Sequence, residues 1–285
     1  MPVITVCQNG VSMGFPPGRN DHARSPRGNA RGWTASATRS NRRFLWCVDC
    51  PQLGSHGYSF TLTVRSCPPS AAAWGSMRRA LLKRLLRAGA VRLHWLTEWQ
   101  RRGVPHLHGC VWFPPGIAGD IVVSHWLAVA SEFGAAISGQ DYKPITGALG
   151  WLQYLAKHAD RGVYNYQRAS GSVPAGWSGS TGRMWGHVGQ WPLVEPQQLT
   201  IDHAGGYAFR RIAQRWRLAN ARSEVDPAKR SSRIRSARRL LQRRDRGGSS
   251  VRGTAEWLPR PVVRDVLLYL ALQGHDFLFK PEASV

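Results

Sequence analysis

Residues 91–113 read VRLHWLTEWQRRGVPHLHGCVWF, two apolar-rich runs joined by a short polar break. Arg101-Arg102-Gly103 suits a three-residue hairpin loop, a type I turn followed by a residue with positive φ, where glycine is the undemanding choice. That loop pairs Gln100 with Val104 and therefore Glu98 with His106. Strand side chains alternate faces, so His94, Glu98, His106, His108 and Cys110 share one face while Leu93, Trp95, Trp99, Leu107 and Val111 share the other. Opposed Cβ atoms lie about 5 Å apart and diagonal ones about 7 Å, which brings one carboxylate and two imidazoles within reach of a single metal ion. Two histidines and a carboxylate also hold the iron of non-haem oxygenases, and that is the competing enzyme reading.

Working outward, Tyr58–Arg65 alternates Phe60, Leu62 and Val64 with Thr61 and Thr63, a strand pattern. Trp74, Met77, Leu81, Leu82, Leu85 and Leu86 recur at helical spacing up to Gly89. After the hairpin, the pattern predicts a helix over 121–133, a weaker strand over 135–142 and a helix over 149–159. The order β-α-β-β-α-β plus a helix predicts an α+β class with a ferredoxin-like, RRM-like antiparallel sheet.

The 285 residues include 39 Lys plus Arg against 16 Asp plus Glu, a net charge of +23, with 42% apolar residues. Such a chain fills a core, which excludes a disordered or fibrous class. Its charge calls for a polyanion, and nucleic acid comes first because each phosphate neutralised releases condensed counterions. No run of about 18 apolar residues occurs, and Met1–Cys7 lacks the basic flank and length of a signal peptide, so the reading is cytoplasmic with no membrane partner. The five cysteines are odd in number and scattered, which predicts reduced thiols. Cys47 and Cys50 form one CxxC with His56 behind it, and a structural zinc site needs a second well-spaced pair.

The charge divides into three zones: 1–56 carries 7 basic and 2 acidic groups, 57–206 carries 14 and 7, and 207–285 carries 18 and 7. The first, rich in Gly, Arg, Ser and Asn, reads as a flexible basic arm; the second holds the organised domain; the third reads as a basic, mainly helical DNA-binding region. Residues 210–246 alone hold 14 basic and 3 acidic groups, with Phe209, Ile212, Ala213 and Trp216 at helical spacing. Pro261–Leu272 is a further apolar segment. Trp177, Trp185 and Trp191 read either as packing residues or as a stacking path for a single strand.

Glu98, Gln100, Arg102, Gly103, Pro105, His106 and His108 resemble the E-x-Q-x-R-G-x-P-H-x-H stretch of HUH endonucleases, as found in rolling-circle replication initiators and Helitron-type transposases. Phe60-Thr-Leu-Thr63 resembles the initiators' first motif, and Tyr154-Leu-Ala-Lys157 their Y-x-x-K, in the initiators' order. Gly182–His187 is similar, more loosely, to filamentous-phage initiators. The resemblance spans about residues 58–165. It implies the HUH fold and site-specific DNA nicking and joining. Tyr154 would be the nucleophile, Lys157 a charge-stabilising partner, and His106, His108 and Glu98 the ligands of Mg²⁺ or Mn²⁺. The implied product is a 5′-phosphotyrosyl enzyme with a free 3′-OH. His158 stands where two-tyrosine initiators place a second tyrosine, which favours a single-tyrosine mechanism; Tyr164 and Tyr166 are rivals to Tyr154. The implied partners are single-stranded or supercoiled origin DNA and, since no G-x-x-x-x-G-K-[ST] loop is present, a host helicase and polymerase. A transposase and a non-enzymatic DNA-binding protein remain as alternatives.

Overall fold

The hairpin of residues 91–113 lies at the centre of a five-stranded sheet. The computed structural model describes residues 1–15, 32–54, 56–161, 167–177, 179–242 and 253–279. In chain order these form β1 (Val3–Val6), β2 (Val11–Gly14), α1 (Ala35–Cys47), β3 (Gly57–Thr63), α2 (Ala71–Arg87), β4 (Arg92–Trp99), β5 (Pro105–Trp112), α3 (Asp120–Ala130), β6 (Asp141–Pro144) and α4 (Ala148–Arg161). There follow β7 (Trp185–Gly189), β8 (Gln197–Ile201), α5 (His203–Arg222), α6 (Pro227–Gln242), β9 (Thr254–Glu256), α7 (Arg260–Leu272) and β10 (Phe277–Phe279). The class is α+β, with two antiparallel sheets. The chain divides into a hairpin unit, Ser25–Leu45 with Asp49–Pro192, and a terminal unit, Met1–Arg24, Trp46–Val48 and Leu193–Val285.

In the hairpin unit the strand order is β6-β3-β5-β4-β7, every pair antiparallel. Glu98 pairs with His106 in register. The Gln100 N–H donates to the Val104 carbonyl at 2.9 Å, and Gly103 closes the loop at φ +77°. β3 lies on the other side of β5, setting Thr61 opposite His108 and Thr63 opposite His106. Helices cover both faces. On one, Trp74 of α2 donates to Thr97 Oγ1 at 3.1 Å and meets Trp126 of α3 edge-on at 5.5 Å, while the Arg78 guanidinium lies 3.9 Å over Trp95. On the other, Asn41 of α1 meets His94 and Tyr154 of α4 meets His108. All eight residues of β5 are therefore buried, polar ones included.

Several boundaries differ from the sequence reading. The expected strand at 135–142 forms later, as exposed edge strand β6, because Ile137–Gly139 first turns as a 3₁₀ segment. β7 extends the sheet by a strand that the pattern does not signal. The flexible arm expected over 1–56 is replaced at its two ends by β1, β2 and α1, whose apolar Ile4, Val6, Val11, Leu45 and Trp46 are buried; residues 16–31 lie outside the described residues. The expected 57–206 boundary is displaced too: α1 belongs with the hairpin unit and β8 with the terminal unit.

The terminal unit has strand order β10-β8-β1-β2-β9. Its core joins Ile4, Val6, Val11 and Met13 to Leu199, Ile201, Phe209, Ala213, Val263 and Leu270, so α5 and α7 lay apolar stripes on a sheet drawn from distant parts of the chain. Asp202 caps α5 by accepting from the Gly205 N–H at 2.8 Å. Among the described residues there is no disulfide, and no helix is long and apolar enough to cross a membrane.

Candidate active site

Because Glu98 and His106 are cross-strand partners and His108 is two residues further along the same face, their side chains converge. All three are buried, with ligand atoms within 4.8 Å of one another; this is the one group of His, Cys, Asp or Glu among the described residues arranged to hold a metal ion. Cys47 and Cys50 are not part of such a group. The His106 and His108 Nε2 atoms approach to 2.6 Å, and His108 Nε2 lies 3.8 Å from Glu98 Oε2. Two imidazole nitrogens that close repel unless a proton or a cation lies between their lone pairs. Burial, reinforced by Arg168, pushes the His108 pKa down to about 4, so the ring is neutral at pH 7 and its lone pair is available. Its other nitrogen, Nδ1, lies 2.9 Å from Thr61 Oγ1, which fixes the ring's orientation from β3. The residues thus fit a divalent ion by donor type, burial and convergence.

Arg168 is fully buried and donates from Nε to Glu98 Oε1 at 2.8 Å. Arg102 ties the hairpin loop to β3 and the segment after it, donating to the carbonyls of Val64 and Arg65 and to Gln100 Oε1. His94 and Cys110 share the face but not the cluster. His94 is held 2.8 Å from Asn41 Oδ1 and stacks on Phe44, and burial first, then His187 and Arg168, pushes its pKa to about 3. Burial raises the Cys110 thiol.

Tyr154 is 40% exposed, stacks on Trp151 at 4.9 Å and stands edge-on to His108 with ring centroids 6.3 Å apart. Desolvation raises its phenol pKa, as do Glu98 and Asp141, while Lys143 on β6 lowers it. Lys157 follows one turn later on α4, but its side chain lies outside the described part of the structure, as do Tyr164 and Tyr166. Sequence reasoning misses Arg168, Lys143 and the orienting role of Thr61. Thr61 lies in a strand pattern that does not reveal which strand it pairs with; Arg168 carries no periodic or motif signal.

Trp177 is a packing residue, buried and donating to the Pro68 carbonyl at 2.9 Å, which removes it from any single-strand path. Trp185 and Trp191 are half-buried in a group with Phe44. In the basic zone some arginines are structural: Arg217 pairs with Glu256 at 2.6 Å and Arg233 with Glu224 at 2.7 Å. Arg211, Arg215 and Arg222 on α5, and Arg235, Arg238 and Arg239 on α6, are exposed.

Fold and site together define an α+β protein with a buried Glu–His–His cluster on an antiparallel hairpin and an exposed tyrosine beside it. No family model and no solved structure matches the chain. A protein of Xylella fastidiosa strain Temecula1, provisionally named for replication, is 47% identical over 264 residues, covering 90% of this chain and 99% of that one. A similarly named protein of strain 9a5c is 46% identical over 97% of this chain and 99% of its own length. Replication-associated protein G2P of Pseudomonas phage Pf3 is 41% identical over 281 residues, 95% of this chain and 99% of that one. The chain belongs to the family of replication proteins that includes Pf3 G2P.

Proposed function

We propose that this protein initiates DNA replication as a metal-dependent nickase and strand transferase of the HUH kind, with Tyr154 as nucleophile. The observation that carries the reading is the convergence of Glu98, His106 and His108 with Tyr154 standing beside His108. Kinship with a phage replication-associated protein supports the biological role. Glu98, His106 and His108 would hold Mg²⁺ or Mn²⁺, an ion that supplies charge neutralisation at a phosphate oxygen when bound.

The residues of the chain supply the rest. Tyr154 Oη gives up its proton and attacks the scissile phosphorus, the bond to the 3′-oxygen breaks and that oxygen takes up a proton in turn, and the 5′ phosphate remains esterified to the phenol. An unassisted phenol near pKa 10 is a poor nucleophile, and here burial and two carboxylates hold it higher still. A cation must offset this; Lys157, one turn along the helix, and Lys143 are the groups that do so. Exposed arginines of α5 and α6 grip the phosphate backbone without reading sequence. Origin DNA is then the substrate and a host helicase and polymerase take over the free 3′-OH.

Incubation with Mn²⁺ and single-stranded or supercoiled origin DNA tests this. A covalent protein–DNA adduct is expected in wild type and absent in Tyr154→Phe. Persistence of the adduct in Tyr154→Phe with loss in Tyr164→Phe or Tyr166→Phe moves the nucleophile, and no adduct in any version rejects the nickase.

A further inference from the structure

A guanidinium is costly to bury unless its faces and edges are used. Arg168, 0% exposed, uses them on three sides. Nε donates to Glu98 Oε1 at 2.8 Å, Nη2 reaches the Leu155 carbonyl at 3.5 Å, and the guanidinium lies 3.9 Å over the Trp33 ring. Trp33 is itself pinned, donating from its indole to the Thr97 carbonyl at 2.8 Å. The neighbouring backbone is fixed as well, since the Trp99 N–H donates to the Gln167 carbonyl at 2.9 Å.

We infer that Arg168 is a positioning residue of the site, which rests on the reading of Glu98 as a metal ligand. By engaging Oε1 it turns Oε2 toward His108, 3.8 Å away, so that Oε2 is the carboxylate oxygen facing that imidazole. The same side chain reaches the backbone of Leu155, the residue after Tyr154, and so ties the ligand strand β4 to the nucleophile helix α4. A lysine keeps the charge but makes a point contact, without the fork that spans Glu98 and Leu155.

The test is Mn²⁺ binding to the full-length protein at fixed pH, read as the electron paramagnetic resonance signal of unbound Mn²⁺, with circular dichroism as a folding control. R168Q is expected to raise the Mn²⁺ Kd about 10–100-fold, the usual effect of losing a partner that orients a ligand, and R168K to recover part of it. In an E98Q background the further change R168Q should alter Kd by less than about twofold, because Arg168 acts through Glu98. A merely structural arginine would weaken binding equally in both backgrounds, and that result overturns the inference, as does an R168Q Kd equal to wild type. Should R168Q lose its circular dichroism spectrum, R168K carries the test, and a Kd unchanged in that variant overturns the inference. Wild type that binds no Mn²⁺ rejects the metal site itself and this inference with it; wild type that binds while R168Q is indifferent rejects the inference alone.

Discussion

Both units are built on a five-stranded antiparallel sheet, yet they treat polar side chains in opposite ways. The hairpin unit covers both faces of its two eight-residue central strands, so Glu98, His106 and His108 are desolvated, with Glu98 held by Arg168 and His108 by Thr61. The terminal unit, with strands of three to five residues, buries an apolar set and leaves arginines of α5 and α6 in water. Chemistry on a phosphate gains from fixed groups in low dielectric, whereas holding a polyanion gains from mobile cations that release counterions. On the proposed function, this division would assign reaction to one sheet and grip to the other.

The sharpest attempt to break that division is His108→Ala. It should abolish Mn²⁺ binding and lower nicking by more than about 10³-fold while leaving DNA retention unchanged in a gel-shift assay. DNA affinity falling in step with nicking would merge the two roles. Next comes the combined change of Arg211, Arg215, Arg235 and Arg238 to Gln. Binding should weaken, and the slope of log K against log salt should become shallower by about 0.7–0.9 for each phosphate no longer neutralised, with Mn²⁺ affinity intact. An unchanged slope removes α5 and α6 from the DNA.

Packing supplies a third test. A Cβ at Gly109 would run into the Phe60 ring and the His94 carbonyl, so Gly109→Ala should cost about 1–3 kcal/mol in urea unfolding and disturb His108, the proposed metal ligand beside it. Mn²⁺ affinity unaltered alongside normal stability would contradict that packing. The smallest effect belongs to the terminal unit. Its cap carboxylate, Asp202, is held below the usual range by the Gly205 N–H first, with His275 adding to it. A depressed folded pKa means the stabilisation is present above the unfolded value near 4 and disappears as pH falls through the folded value. Asp202→Ala should therefore cost about 1 kcal/mol at pH 7 and converge with wild type in acid. A gap that persists in acid would mean that the cap does not act through its charge.

How much was legible follows the same contrast. The β4–β5 register could be read because eight-residue strands show their period and Arg101-Arg102-Gly103 admits few loops, and Gly103 does take a positive φ. Helices α2 and α4 announce themselves by spacing. The second sheet does not: runs of three to five residues are too short for a period to show, and β1 finds its partner β8 about 190 positions away. In the site, Glu98, His106 and His108 were visible because one hairpin brings them together. Arg168 was not, because its place depends on a segment that packs against β4 from outside the hairpin.

That pairing of β1 with β8 also sets a schedule for synthesis. Val3–Val6 leaves the ribosome early, but Gln197–Ile201 follows some 190 residues later, roughly 10–40 s at ~5–20 residues per second. In that interval the whole of Asp49–Pro192 is made, and the strands of its sheet lie within it. The hairpin unit can therefore be assembled on the ribosome before the terminal unit has its sheet, and an interrupted translation would release the first without the second.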